Sequence, residues 1–192
     1  MGRKLEFDKD KALARATELF WRDGYMNTSL KKLLIAMNMG ESSFYHTFKG
    51  KKSLYLECIN HYNQGPMKKR VAAICSNRSA KNRIYDFFEI VISDFKENKT
   101  TGCLVSNSLS QEILMDEALK QKIYSVIDSL LEHFGRIVEE GVANGEFNKK
   151  DPTVTAKVLL TYLHGLMRLS AYRFDPEKQK IETHTFLDSI LL

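Results

Sequence analysis

The 192 residues are enough for one large domain or for a small head on a larger body, and three prolines and ten glycines leave little room for low-complexity linkers. The formal net charge of +5 comes entirely from residues 1–56, where eleven Lys and Arg outnumber six Asp and Glu, because residues 57–192 carry eighteen of each. A basic head on a neutral body favours a polyanionic partner, although a solvated lysine-rich face would give the same balance.

Three cysteines, Cys58, Cys75 and Cys103, are odd in number and lack the C-x-x-C spacing. Such a set favours a reducing compartment over a disulfide framework. The first residues lack the apolar stretch of a signal peptide, and no apolar run approaches the ~20 residues that cross a bilayer. We therefore expect a cytoplasmic protein with no membrane partner.

Helical periodicity dominates the chain and strand-like alternation is nearly absent, which predicts an all-α fold. The first helix is predicted from Asp8 to about Asp23, ending at Gly24. The second is predicted to start at Thr28 as its N-cap. Each helix has an apolar face, formed by Leu13, Ala16, Leu19 and Phe20 on the first and by Leu30, Leu33, Leu34 and Met37 on the second.

A tight turn at residues 38–40 separates the second helix from a very short third one. Asn38 tolerates the left-handed backbone that this turn requires, and Gly40 can act as a weak N-cap. The pattern is that of a helix-turn-helix, whose second helix enters the major groove of DNA. Glu41 at the start of that helix is unusual near DNA: it either accepts from a cytosine amino group or favours the helix N-terminus, and we prefer the second interpretation.

A fourth helix is predicted from Lys51 toward Cys75, with a kink or break at Gly65-Pro66 because proline inside a helix removes a backbone hydrogen bond. Its position on a linking helix suggests the hypothesis that the break takes part in a conformational switch. Further helices are predicted at about 80–98, 103–114, 116–144, 152–173 and 176–191. Short loops between them favour antiparallel packing.

An ordered set of residues between positions 10 and 56 resembles the TetR family of bacterial transcriptional repressors. The set consists of Leu19-Phe20, Gly24-Tyr25, Thr28-Ser29-Leu30, Asn38-Met39, the run from Phe44 to Phe48 and the run from Lys51 to Leu54. Gly40-Glu41 and Met37-Asn38 depart from the residues that are common in the family at those positions.

The body resembles the same family more weakly. The run from Glu139 to Phe147 followed by Asp151-Pro152 is a familiar arrangement there, and the run from Thr101 to Val105 is similar to a branch that includes electrophile-sensing repressors. The resemblance implies a helix-turn-helix DNA-binding domain at residues 1–50 and a ligand-binding and dimerisation domain at residues 51–192. It further implies that a ligand in the body moves the helix linked to the head, so that the two heads of a homodimer no longer fit the operator.

Six residues are candidates for DNA contact: Thr28, Ser42, Ser43, Tyr45, His46 and Lys51. Tyr45 and His46 match backbone-contacting positions of the family, while the short side chains of Ser42 and Ser43 allow contact with base edges. Thr28 can bind a phosphate with the amides of its helix start, or cap that helix alone. Lys51 is expected to bind a phosphate at the start of the fourth helix, or to be an ordinary exposed lysine.

Cys103 is the sharpest effector candidate, because a predicted helix start after Thr101 and the nearby Lys99 would favour its thiolate. The alternative for Cys103 is a small buried apolar residue. Cys58 and Cys75 are expected to be structural. Candidates for a ligand pocket in the body, all of which could equally be ordinary core residues, are Phe87, Phe88, Phe95, Tyr124, Tyr162, His164 and Met167.

The dimer is expected to form a four-helix bundle from the last two helices, with apolar residues divided between core and interface. These residues are Val158, Leu159, Tyr162, Leu166, Phe186, Leu187 and Ile190. No motif of an enzyme, metal site or cofactor site is found in the sequence, so none of these is predicted. The alternative function is a DNA-binding architectural or division-control protein on the same fold without a small ligand.

Overall fold

The computed structural model describes residues 8–97, 102–109, 116–169, 172 and 174–192. Within these ranges the chain forms nine α-helices and no strand, which confirms the predicted all-α fold. In chain order the helices are α1 Lys9–Asp23, α2 Leu30–Met37, α3 Glu41–Phe48, α4 Lys51–Gln64, α5 Pro66–Ile74, α6 Ala80–Glu97, α7 Glu117–Ala143, α8 Pro152–Leu169 and α9 Pro176–Leu191.

Local chemistry sets most of the helix ends. Aspartates at positions 8, 116 and 175 accept hydrogen bonds from first-turn amides and cap α1, α7 and α9. Gly24 ends α1 with φ of +78°, a backbone conformation that favours glycine. The predicted interruption of the linking helix is confirmed, since α4 ends before Gly65 and Pro66 is the first residue of α5.

The first three helices form a small head around fully buried side chains, including Phe20, Leu33 and Phe44. The predicted apolar faces are confirmed, because each of their residues is either buried or packed against the core. Helix α4 packs along α1, and the rings of Phe20 and Tyr55 meet edge to face at 4.7 Å between centroids. The head and the first body helix therefore share one core.

The remaining body helices, α5 to α9, pack around a buried aromatic cluster. Phe87 and Phe88 on α6 meet Phe134 on α7, with ring centroids 5.2 Å and 6.3 Å apart respectively. Helix α7 packs along α8, and α6 packs against α5, α7 and α9. Burial of these large rings supplies much of the stability of the body.

Two helix predictions for the body are wrong in extent. The described part of the predicted helix 103–114 consists of a turn and a short 3-10 helix at Ser106–Ser108, because Gly102 has φ of +91° and the Ser108 hydroxyl donates to the carbonyl of Leu104. Residues 110–114 of that prediction lie outside the described residues. Helix α8 ends at Leu169, and the amide of Tyr172, which is not helical, donates to the Leu169 carbonyl. Residues 170, 171 and 173 of the predicted helix 152–173 lie outside the described residues.

Gly135 and Gly141 lie on the same helix, α7, in different surroundings. A Cβ on Gly141 would lie 2.2 Å from the Phe147 ring, whereas a Cβ on Gly135 would meet nothing within 4 Å. We expect Gly141→Ala to lower the free energy of unfolding by about 1–3 kcal/mol through overpacking. Gly135→Ala should raise it by about 0.5–1 kcal/mol, because alanine favours helix. Urea unfolding measures both, and equal effects would contradict the packing of Phe147 on α7.

Candidate nucleic-acid interface

Helix α3 presents one side to the core of the head and the other to solvent. Phe44 and Phe48 are buried. The exposed side carries the four α3 residues predicted to contact DNA, namely Ser42, Ser43, Tyr45 and His46. The rings of Tyr45 and Phe44 meet edge to face with centroids 5.3 Å apart, and Tyr45 is 48% exposed. A short helix with hydroxyl and imidazole groups on its open face matches the chemistry of groove and phosphate contacts.

The turn between α2 and α3 fixes the direction of the recognition helix. Asn38 has φ of +52°, in the left-handed region as predicted, and its amide donates to the carbonyls of Leu34 and Ile35. Gly40 is the N-cap of α3 and offers no side-chain hydrogen bond, also as predicted. Glu41 lies exposed in the first turn, where its charge favours the positive end of the helix.

Helices α3 and α4 both begin at glycines, Gly40 and Gly50, with no side-chain bond to the first-turn amides. Free amides at a helix start form a ready site for an anion such as a phosphate. Lys51 stands at the start of α4 with its Nζ 4.4 Å above the centre of the Tyr25 ring. Partial burial there lowers the pKa of Lys51.

The prediction that Thr28 caps α2 is wrong. Ser29 is the N-cap, and its hydroxyl accepts a hydrogen bond from the Lys32 amide at 3.2 Å. Thr28 is fully buried, and its hydroxyl donates to the Gly24 carbonyl at 2.6 Å. The side chain of Thr28 is therefore turned inward, away from any phosphate, and the exposed Ser29 takes its place as a candidate for contact with DNA.

Two basic residues near α3 were not singled out from the sequence. Lys49 is exposed and follows α3 in the left-handed conformation, with φ of +63°, and Lys31 is exposed in the first turn of α2. Neither forms an ion pair with a residue that the structure describes, whereas the Lys32 ammonium lies 3.1 Å from Asp23. The excess of basic residues in the head was visible in the sequence. Which of them lack an ion pair with a described residue follows only from the structure.

Cys103 lies buried beneath the head rather than at a helix start. The residue is 8% exposed, and its sulfur accepts a hydrogen bond from the Tyr62 hydroxyl at 3.4 Å. Arg70 in turn donates to the Tyr62 hydroxyl at 3.2 Å and pairs with Asp94 at 2.9 Å. The predicted activation by a helix N-terminus is wrong, because the described chain after Cys103 is a turn; Lys99 and Thr101 lie outside the described residues.

The segment Gly102–Ser108 touches both α1 and α4. The Trp21 indole donates to the Gly102 carbonyl at 3.1 Å, and the Trp21 ring stands edge-to-face on Tyr62 at 5.0 Å. The Tyr55 hydroxyl bonds to the Ser108 hydroxyl. The segment that contains Cys103 is therefore fixed to the helices that support α3.

The other effector candidates do not line one common pocket. Phe87 and Phe88 are fully buried in the aromatic core. Tyr124 is 39% exposed on α7, near the Lys120 ammonium. The ring of Tyr162 stacks on Phe186 of α9. The ring of Phe95 meets the ring of Phe174 edge to face.

His164 is the candidate that does lie beside Cys103. Both residues, together with Met167, line a cavity of approximately 20 Å³. Burial lowers the pKa of His164, which favours the neutral imidazole there. A cavity of this size holds about one water molecule, far below the ~300 Å³ of a small-molecule site.

The two remaining cysteines differ in exposure. Cys58 is fully buried, and burial raises the pKa of its thiol to about 12, so it is structural as predicted. Cys75 is exposed at the end of α5, so the expectation that it is structural does not follow from burial. Any thiol experiment must therefore account for Cys75.

Helices α8 and α9 leave an apolar face open. Val154 and Val158 are 59% and 38% exposed, and the ring of Tyr162 stacks on Phe186 at 3.8 Å. These residues line a groove of approximately 440 Å³. Of the residues predicted for the bundle, Leu159, Leu166 and Leu187 are buried, whereas Val158, Tyr162, Phe186 and Ile190 are exposed or partly buried.

Two kinds of site are absent from the described ranges. No cluster of three or more His, Cys, Asp or Glu side chains there could hold a metal ion. No helix there has the length and apolar character needed to cross a membrane.

Lys51→Ala is expected to weaken binding to every DNA sequence and to lower the slope of log affinity against log salt by about one, because one phosphate contact is lost. Gel shifts at several salt concentrations measure the slope. Lys149→Ala, an exposed lysine between α7 and α8, is the control and should leave it unchanged. An unaltered slope for Lys51→Ala would remove this residue from the interface.

Comparison with known proteins places this geometry in a family. The family model of bacterial regulatory proteins, tetR family, matches residues 12–58. The model of the QacR-like protein, C-terminal region, matches residues 68–192, which is more than half of the chain. Proteins of this family are transcriptional regulators rather than enzymes, in agreement with the expected absence of a catalytic site.

Individual relatives extend the similarity over most of the chain. The uncharacterized HTH-type transcriptional regulator YezE of Bacillus subtilis is 28% identical over 85% of this chain and 84% of its own. QacR of Staphylococcus aureus is 23% identical over 83% of this chain and 84% of its own.

Solved structures show the same fold. A cysteine mutant of CifR bound to a 26-base-pair operator DNA is 26% identical, covers 97% of this chain and 98% of its own, and has a TM-score of 0.86. Reduced NemR of Escherichia coli, at 19% identity, covers 96% of this chain and 98% of its own with a TM-score of 0.80. The chain therefore belongs to the tetR family of bacterial regulatory proteins and is a DNA-binding transcriptional regulator.

Proposed function

We propose that this regulator is a repressor, that it binds a palindromic operator as a homodimer, and that a small-molecule effector or modification of a thiol releases it. The contact between the Gly102–Ser108 segment and the helices of the head carries this proposal. It supplies a physical connection from Cys103 to Trp21 on α1 and Tyr55 on α4. CifR bound to its operator supports double-stranded DNA as the partner.

The DNA-binding half of the proposal rests on the open face of α3 and the amides that begin α3 and α4. Ser42 and Ser43 would face base edges, while Tyr45, His46 and Lys51 would hold the phosphate backbone. Two heads related by a two-fold axis read half-sites separated by one or more DNA turns of ~34–36 Å each. The operator is therefore expected to be palindromic.

The dimer is proposed to form through α8 and α9. Val154, Val158, Tyr162 and Phe186 form a continuous apolar surface there. A two-fold axis across this surface would pack it against the same surface of a second copy and bury the apolar groove. Such a four-helix interface would fix the separation of the two heads.

Val158→Asp is expected to shift the protein from dimer to monomer, because a carboxylate would be buried in the interface. Sedimentation velocity measures the mass of the particle. Ile35→Asp is the matched control, since Ile35 is 71% exposed on α2 and lies away from α8 and α9. A Val158→Asp protein that stays dimeric at micromolar concentration would contradict this interface.

The switch is proposed to act through the segment that contains Cys103. Addition of a group to the Cys103 sulfur would break the hydrogen bond that the sulfur accepts from the Tyr62 hydroxyl. The cavity of approximately 20 Å³ is too small for the added group. The segment would then shift and change the placement of Trp21 and Tyr55. Because α1 and α4 support α3, the head would turn relative to the body, which changes its fit to the operator.

The small size of the Cys103 cavity also favours the alternative function, a DNA-binding architectural or division-control protein without a small ligand. A drug-sized molecule has no preformed place in that cavity. The two functions differ in whether a small-molecule effector or modification of a thiol releases the DNA, and the release after thiol modification can be tested directly.

The experiment uses a Cys75→Ser background, because Cys75 is exposed and would react first. N-ethylmaleimide or hydrogen peroxide should release the operator in gel shifts, and Cys103→Ser should abolish the release. Trp21→Phe keeps an aromatic ring but removes the hydrogen-bond donor to the Gly102 carbonyl. This variant should retain operator affinity, but the thiol reagents should release less of its DNA. Couplings between two sites of this kind typically change affinity by about 5–150-fold. Unchanged release of the operator from Cys103→Ser would contradict the thiol switch. No release by either reagent would favour the architectural function.

A further inference from the structure

An ion pair joins the start of α4 to the start of α7. The Lys52 ammonium lies 2.7 Å from Oδ2 of Asp116, the residue that caps α7. Oδ1 of the same carboxylate accepts hydrogen bonds from the amides of Ala118 and Leu119, at 3.1 Å and 3.2 Å. The two oxygens of Asp116 therefore have separate partners, one on α4 and one on α7.

This ion pair lies beside the lysine that we expect to bind a phosphate. Lys52 directly follows Lys51 in the first turn of α4, where no side chain bonds to the amides. The Lys51 ammonium stands over the Tyr25 ring. Burial raises the pKa of Tyr25, the charge of Asp116 adds to this effect and the charge of Lys52 opposes it, so both charges lie close to the same ring. The four side chains form one cluster at the edge of the head.

The two adjacent lysines differ in their partners. Lys51 forms no ion pair with any residue that the structure describes, whereas the charge of Lys52 is matched by Asp116. The hydrogen bond from Lys52 and those from the α7 amides hold the pKa of Asp116 below its usual range, so its carboxylate carries a full charge. A negative charge thus lies at the edge of a surface that is expected to meet DNA phosphates.

The Lys52 ammonium is able to exchange this partner for a phosphate. Its side chain is 48% exposed and that of Asp116 is 32% exposed, and ion pairs in contact with water stabilise a protein only weakly. Lysine carries its charge on a flexible four-carbon stem. A phosphate that binds this charge also releases counterions from DNA, a gain that the pair with Asp116 does not provide.

We propose that Asp116 keeps the Lys52 ammonium away from DNA, so that Lys52 is a phosphate contact that the wild-type protein does not use. Phosphate contacts supply essentially all of the binding to non-specific DNA. Asp116 therefore lowers the affinity for DNA of any sequence, and it does so from the body through one charge. This inference rests on the proposed DNA interface of α3 and α4.

Asp116→Asn tests the proposal, because asparagine is as good an N-cap as aspartate but has no charge. The freed Lys52 should steepen the slope of log affinity against log salt by about 0.9 for a duplex of random sequence. Affinity should rise about threefold at about 50 mM salt. The gain should vanish near 200 mM, since one additional contact loses about 3.5-fold over that range. Fluorescence anisotropy of a labelled duplex measures both quantities.

Glu117→Gln is the matched control, because it removes the same charge from the next residue. Glu117 bonds to Lys120 and Gln121 rather than to Lys52, so its loss should leave the slope unchanged. Lys52→Met should restore the wild-type slope when it is added to Asp116→Asn. In the wild-type background Lys52→Met should leave the slope unaltered.

The proposal is overturned if Asp116→Asn and Glu117→Gln have the same slope. It is also overturned if Lys52→Met alone flattens the slope as Lys51→Ala should, because Lys52 would then already contact DNA. Thermal unfolding checks that each variant is folded, and Asp116→Ser, a second uncharged N-cap, replaces Asp116→Asn if that variant is not. An unchanged slope in Lys51→Ala would count against the proposed interface itself, whereas a normal response there with none in Asp116→Asn overturns only this inference.

Discussion

The buried guanidinium group of Arg70 on α5 fixes the way in which α4 and α5 meet α6. Arg70 is 1% exposed, and a buried charge is tolerated only when paired and hydrogen-bonded. Asp94 on α6 supplies the opposite charge and Tyr62 on α4 supplies the oxygen. The position of Tyr62 is thereby set from inside the body, on the head side of the Gly65-Pro66 break.

That placement has consequences on both sides of Tyr62. Its hydroxyl reaches the Cys103 sulfur, and its ring meets Trp21 of the head. Burial raises the pKa of Tyr62 well above its usual range, so the hydroxyl stays protonated and continues to donate. One side chain thus contacts a thiol of the body and an indole ring of the head.

The sequence predicted the parts that depend on local chemistry. Asn38 in the left-handed turn and the break before Pro66 each follow from the conformational preferences of single residues. The exposure of Tyr45 against the burial of Phe44 follows from helical spacing. The division of Leu159 and Val158 between core and surface could not be predicted, because both fit an apolar stripe and only tertiary packing separates them.

The failures have a common physical cause, which is contact between residues distant in sequence. Thr28 and Ser29 are both good N-caps, and the carbonyl of Gly24 decides between them by taking the Thr28 hydroxyl. Residues after Cys103 have the apolar pattern of a helix, but bonds to Trp21 and Tyr55 hold part of that segment in a turn. Arg70 gave no signal as a buried residue, since arginine in a helix is normally exposed.

The glycine starts of α3 and α4 also determine how the head responds to its surroundings. Backbone amides do not titrate in the biological range, so a phosphate held by the first turns after Gly40 and Gly50 keeps its donors in acid and in alkali. Dissolved ions, by contrast, compete directly for the same anion. Contact with DNA at these two helix starts would therefore weaken as the salt concentration rises and would not depend on pH.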